Sequence, residues 1–120
     1  MSKIHDLGKK GEQKARYFLQ KKGFIIKVCN WRYKRAEVDI IAEYQNLIVF
    51  IEVKTRSSEL FGYPEDAVNR RKQELFAKAA AAYIEQFKPQ KELRFDVVSV
   101  IINGNTTKIF HIEDAFFLYD

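Results

Sequence analysis

Cysteine is nearly absent. The single Cys29 rules out an internal disulfide and any zinc site built from several thiolates. It sits in the apolar-leaning run FIIKVCNW with no base nearby in sequence, as a core or half-buried thiol would. Histidine is almost as scarce. His5 and His111 lie far apart, neither has a partner at metal-ligand spacing, and both read as surface or internally satisfied side chains. No apolar run approaches the ~18 residues needed to span a bilayer. The opening MSKIHDLGKKGE lacks the apolar segment of a signal peptide. The expectation is a soluble, cytoplasmic protein with no membrane partner. No internal repeat or linker breaks the chain, and 120 residues at 47% hydrophobic content suit one domain over residues 1–120.

What the chain does have is charge, unevenly placed. Residues 1–35 hold 11 Lys/Arg against 2 Asp/Glu, whereas residues 36–120 hold 10 against 14. A basic first third beside an acidic remainder fits a protein that grips a polyanion. A merely well-solvated basic helix fits the same charge count.

From Lys3 to Lys22 the apolar spacing is helical, with Leu7, Gly11, Ala15, Phe18 and Leu19 on one stripe and Gly23 placed to end it. Glu12 lies at the stripe's edge. It either pairs with Arg16 four residues on or is carried by the small residues Gly8, Gly11 and Ala15 to an acidic cluster on the sheet. Phe24 to Trp31 reads as a strand running into Arg32-Tyr33-Lys34-Arg35. Aromatics interleaved with cations suit nucleic acid, unless Trp31 is simply core.

The most informative stretch is Ala36 to Arg56, AEVDIIAEYQNLIVFIEVKTR. A two-residue link at Gln45-Asn46 sets Tyr44 opposite Leu47, and paired residue numbers then sum to 91. Asp39 faces Glu52 and Glu37 faces Lys54, all four on one face. Opposed Cβ atoms lie roughly 4.5–5.5 Å apart, and like charges there repel. A salt-bridged ladder would leave three acids against one base on a half-buried face, whereas a cation between Asp39 and Glu52 resolves the conflict. Hard carboxylate oxygens suit Mg²⁺ or Mn²⁺, with the Val53 carbonyl as a further ligand. Lys54 is placed to orient the attacking water and steady phosphate charge, with Glu37 supporting it.

Ser57 to Pro64 is a loop whose Phe61 and Tyr63 either close over the site or anchor the loop. A helix from Pro64 to about Phe87 follows, with Val68, Leu75, Ala79, Ala82 and Tyr83 or Phe87 inward. Lys72 lies on that stripe, pointing toward the cluster or snorkelling out. Leu93 to Ile102 is a fourth strand, in which Arg94 and Asp96 form a structural ion pair. Asn103-Gly104-Asn105 turns into a short fifth strand, Lys108 to Ile112. The tail EDAFFLYD is apolar enough to dock on the domain or on another subunit. The order gives an α/β fold with a mixed sheet flanked by helices.

Asp39 and Glu52-Val53-Lys54, with an upstream helical Glu12, resemble the PD-(D/E)XK, restriction-endonuclease-like superfamily. The likeness narrows on Gly8-Lys9-Lys10-Gly11-Glu12 with Ala15, Asn30-Trp31-Arg32, Glu37 to Ala42, Phe50 to Arg56, Gly62, Ala67-Val68, Lys72 and Arg94 to Val98. This set resembles the bacterial YraN-like endonuclease family over nearly the whole chain. Ala36 departs from it, standing where the family often has Gly. The resemblance implies an αβββαβ core and nuclease chemistry similar to archaeal Holliday junction resolvases. It makes Glu12, Asp39, Glu52 and Lys54 the candidate active-site residues.

The expectation is therefore a Mg²⁺-dependent (or Mn²⁺-dependent) nuclease acting on DNA, branched or otherwise structured. Catalysis falls to Asp39, Glu52, Lys54, Glu12 and Glu37, and metal binding to Asp39, Glu52 and Val53. Nucleic acid would be held by Lys9, Lys10, Arg32, Lys34, Arg35, Arg56 and Lys72. A resolvase-like role calls for a homodimer, which places two sites on one junction. The alternative is a nucleic-acid-binding module on the same scaffold without turnover.

Overall fold

The structure is a computed structural model and describes residues 3–57 and 70–115, with side chains from residue 6 onward. The first helix, α1 (Lys3–Lys21), buries Gly11, Ala15 and Leu19 along one stripe. It ends as the sequence asks. Gly23 takes φ +101°, a conformation L side chains resist, and donates to Gln20 O at 3.0 Å while the Phe24 amide reaches back to Leu19 O at 3.0 Å. Phe24 then stacks on Tyr44 at 4.4 Å, fixing the helix exit to the far end of the sheet.

Five strands follow that stop: β1 (Ile25–Tyr33), β2 (Ala36–Tyr44), β3 (Leu47–Arg56), β4 (Glu92–Asn103) and β5 (Thr106–Ile112), with α2 (Arg70–Phe87) between β3 and β4. They form one mixed sheet in the order β1-β2-β3-β4-β5. Neighbours are antiparallel except β3 and β4, which run parallel because α2 crosses between them. The expected α/β architecture is thus present. The β2–β3 turn is Gln45-Asn46, with Tyr44 opposite Leu47 as the sequence predicts.

Strand alternation sorts the core into two layers. Ile48, Phe50 and Val97 pack with Phe76, Ala79, Ala80 and Tyr83 of α2. Val49, Ile51, Val53, Val98 and Val100 pack with Ala15 and Leu19 of α1. The α2 stripe is rotated from the expected one. Phe76 and Ala80 are buried, Ala82 is half-buried, and Phe87 is 52% exposed. Bulky Phe76 fills the space against Phe95 at a ring separation of 5.6 Å, and the alanine tract turns to suit it. The start of the expected helix at Pro64, Val68, and the loop carrying Phe61 and Tyr63 lie outside the described residues, as does the tail after Ala115.

On β4 the Arg94–Asp96 pair is structural, as read. Asp96 is fully buried and accepts from Arg94 Nε and Nη2 (2.9 Å each) and from the Asp114 amide (3.0 Å). His111 Nε2 lies 2.7 Å from its Oδ2, and His111 Nδ1 accepts from Lys22 Nζ at 2.7 Å. The histidine is therefore satisfied internally. Burial alone would raise the Asp96 pKa, yet the bonds from His111, Arg94 and the Asp114 amide hold it below the usual range. Asp96→Ala removes the shared acceptor of Arg94 and the Asp114 amide and the partner of His111, leaving Arg94 only its contact with Glu113 at 3.4 Å among the described residues. It is expected to cost ~1–3 kcal/mol, read from urea unfolding. A loss under about 1 kcal/mol would mean that the network adds little.

Candidate active site

The β2–β3 ladder runs from Tyr44–Leu47 to Ile40–Ile51 and stops there. One residue further the strands part, and a side chain takes over. Asp39 Oδ2 accepts the Val53 amide at 2.7 Å, so a carboxylate stands where a main-chain carbonyl would continue the sheet. The alternation breaks at the same place: Val38 packs in the α2 layer, and Ile40, two residues on, in the α1 layer. Across on β1, Asn30 adopts φ 56° between the pairs Cys29–Ile40 and Trp31–Val38. Asparagine tolerates that conformation better than most residues, so a local kink re-aims Asp39 without ending the strand.

The four charges therefore do not share one regular face, as strict period two predicted. Glu37 is not the ladder partner of Lys54. It pairs with Arg32 on β1 at 3.0 Å. It nevertheless stays close enough to raise the pKa values of Glu12, Asp39 and Glu52. Asp39, only 7% exposed, is pushed up to about 8, first by burial and then by the charge of Glu52, against the lowering effect of the Val53 amide. Glu52 is also raised by burial, partly offset by Lys72, whose Nζ lies 3.3 Å from Oε2, and by Lys54.

Glu12 comes from the opposite layer. Gly11 approaches β3 so closely that an added Cβ would overlap the Thr55 side chain, 2.6 Å from Cγ2 and 2.7 Å from Cβ. This approach delivers the next residue, Glu12, to the cluster. Its pKa is raised by burial and by Glu37, with the charge of Arg16 opposing. Among the described residues no three carboxylate, imidazole or thiolate groups converge to hold a metal ion. The candidate ligands are thus Asp39 and Glu52, with Val53 held between strands by its amide. All offer hard oxygens, and a buried and a half-buried carboxylate that resist joint ionisation fit a hard divalent cation.

The expected polyanion contacts divide. Lys9 and Lys10 are exposed on α1, and Arg35 is exposed at the β1–β2 turn. Arg56 is half-buried at the end of β3, and Lys72 is bound to Glu52. Arg32 is held by Glu37, and Lys34 lies over the Tyr33 ring at 5.3 Å. Trp31 belongs to the core: its indole donates to Ala79 O at 2.8 Å and meets Tyr83 and Phe87 edge-on. Two features escaped the sequence reading. Asn30 was signalled only by an αL-tolerant residue in a strand. Ser99, in register with Lys54, buries an Oγ without a partner among the described residues, and was signalled by the lone hydroxyl in DVVSVII.

A mixed five-stranded sheet between two helices, with acidic side chains gathered where its central hairpin opens, defines an α/β protein of αβββαβ type. Residues 11–100 match the model of a family described as Uncharacterised protein family UPF0102. A UPF0102 protein of Flavobacterium psychrophilum is 45% identical over 117 residues, 98% of each chain. Similar relatives occur in Christiangramia forsetii (44%, covering 99% of this chain and 100% of the relative) and Thermodesulfovibrio yellowstonii (46%, covering 93% and 96%). The chain belongs to the UPF0102 family, the YraN-like family that its motifs resemble.

Gly11→Ala is expected to lose ~1–3 kcal/mol by overpacking, measured by thermal or urea unfolding. Gly8→Ala, with nothing within 4 Å of the new Cβ, should be neutral or mildly stabilising. Equal effects at both positions would remove the close approach as the reason for Gly11. The raised Asp39 pKa also has a sign. Asp39 binds its proton more tightly folded than unfolded, so its stabilising contribution is full below about pH 4 and is lost as pH rises through about 8. Metal-free wild type should therefore lose Tm between about pH 5 and about pH 8 more steeply than Asp39→Asn. Parallel pH profiles would place the folded-state pKa of Asp39 near its ordinary value.

Proposed function

We propose that the protein is a divalent-metal-dependent nuclease that hydrolyses phosphodiester bonds in DNA, branched or structured DNA in particular. The observation that carries this reading is the pair Asp39 and Glu52. Asp39 is buried and Glu52 largely so. They are near enough for the charge of Glu52 to raise the Asp39 pKa, and among the described residues Asp39 accepts from one main-chain amide. Beyond satisfying the Val53 amide, that arrangement costs the folded chain stability, because each charge hinders the other. A Mg²⁺ or Mn²⁺ ion bound there supplies Lewis-acid stabilisation of phosphate charge.

The chain's own groups do the rest. Asp39 and Glu52 would hold the ion, and the Val53 amide fixes the Asp39 carboxylate in place. Lys54, whose charge is felt at Glu52, donates to the phosphate or to the attacking water. Lys72 opposes the rise of the Glu52 pKa from the α2 side, and Glu12 positions water from the α1 side. Glu37 holds Arg32 at the rim, where its guanidinium meets a phosphate of the substrate.

The decisive measurement is cleavage of a panel of duplex, flap, junction, single-stranded DNA and RNA with Mg²⁺ and with Mn²⁺. Asp39→Ala and Lys54→Ala are each expected to reduce cleavage by at least about 10²-fold, with circular dichroism unchanged. Cleavage that survives both substitutions sinks the mechanism. Metal-independent binding with no cleavage of any substrate leaves a binding module.

A further inference from the structure

The outer side of α1 forms a second chemically distinct surface, none of it used by the site described above. A groove of about 600 Å³ runs between α1 and the edge strand β5. Its floor is Phe18 and Ile109, and its walls carry Lys14, Tyr17, Lys21 and Lys22. Among the described residues no carboxylate lines it. Tyr17 is 62% exposed, the most exposed large hydrophobic side chain among the described residues, and Lys21 lies over one face of its ring at 5.2 Å. Lys22 covers the Phe18 ring at 5.2 Å while bonding to His111.

The spacing is directional. Lys14, Tyr17 and Lys21 stand three and four residues apart and so share one helix face, with exposed Lys10 one turn earlier. The groove begins at Gln13, the neighbour of Glu12, and extends ~12 Å along the helix from there. Cations at helical intervals beside an exposed ring, over an apolar floor, suit a ligand with regular negative charge and flat apolar faces to bury. A duplex supplies the charge but keeps its base faces stacked inward. An unpaired strand supplies both.

We propose that this groove binds a single strand of nucleic acid, with Tyr17 as a base-stacking platform and Lys14 and Lys21 as phosphate contacts. The inference rests on the nuclease reading in one respect: it makes the bound strand the unpaired arm next to the scissile bond. The substrate is then a junction between paired and unpaired nucleic acid, gripped by its single-stranded side.

The test uses full-length protein in EDTA, where cleavage does not interfere, and fluorescence anisotropy with a labelled single-stranded oligonucleotide as DNA, as RNA, and as the matching duplex. Either single strand should bind more tightly than the duplex, and the two arms report which sugar is preferred. Tyr17→Ala should weaken single-strand binding by about 5- to 150-fold, and Tyr17→Phe should restore it. Lys14→Ala with Lys21→Ala should flatten the dependence of log K on log salt by roughly 1.4. Tyr17, Lys14 and Lys21 are exposed, so these variants should fold normally, as circular dichroism will confirm.

Three results would overturn the proposal: binding indifferent to Tyr17 and both lysines, duplex binding as tight as single strand, or a polyglutamate peptide that competes with the same dependence on Tyr17. Failure of the nuclease reading looks different. Binding through Tyr17 with no cleavage in Mg²⁺ or Mn²⁺ leaves the groove standing and removes the enzyme. Cleavage with a silent groove does the reverse.

Discussion

The hydrogen bond from the Val53 amide to Asp39 Oδ2 is the constraint on which the site depends. A buried amide must find an acceptor, and where β2 leaves β3 no main-chain carbonyl continues the ladder. A short acidic side chain meets that need only by entering the sheet. Doing so sets its carboxylate beside Glu52, on the strand that supplied the amide. The clash of charge is therefore a consequence of how the hairpin opens. Lengthening the ladder by one regular pair would satisfy Val53 differently and dissolve the cluster.

The opening also explains why both layers reach one place. On β3, Glu52 is met by Lys72 from α2, while Thr55 is met by Gly11 and brings Glu12 from α1. A strand displays alternate residues to opposite faces, so a site built at the end of a central strand is served by both helices. The cost is a close approach that only glycine allows. Lys72 in turn links the first turn of α2 to the sheet.

Much of this was legible in the chain, for definite reasons. The Gln45-Asn46 link and two apolar runs specify the register, because slipping by one residue would move every core side chain of a strand from one layer to the other. Gly11 and Ala15 announced a close helix, and Gly23 its end. The break at Asp39 was hidden because period-two reasoning assumes an unkinked strand, and the kink comes from Asn30 on a neighbouring strand. The rotation of α2 was hidden too: AKAAAAY presents nearly equal small surfaces, and Phe76 decided among them through its contact with Phe95. Trp31 could have been core or platform, and only its bond to Ala79 settles it as core.

The sheet contains a comparison for its own site. Asp96 and Asp39 are both buried aspartates, on β4 and β2, within the same small protein. Asp96 receives Arg94, His111 and an amide, and its carboxyl is held below the usual range. Among the described residues Asp39 receives one amide and has an acidic neighbour, and it is pushed up to about 8. The fold can thus surround a carboxylate with donors where the charge is structural. At Asp39 it leaves the charge underprovided, with the Lys72 ammonium bonded to Glu52 instead. Stability alone would favour the treatment given to Asp96, since an uncompensated acid weakens the folded state at neutral pH. The contrast supports reading the deficit at Asp39 as room for a cation that arrives with, or before, a phosphate.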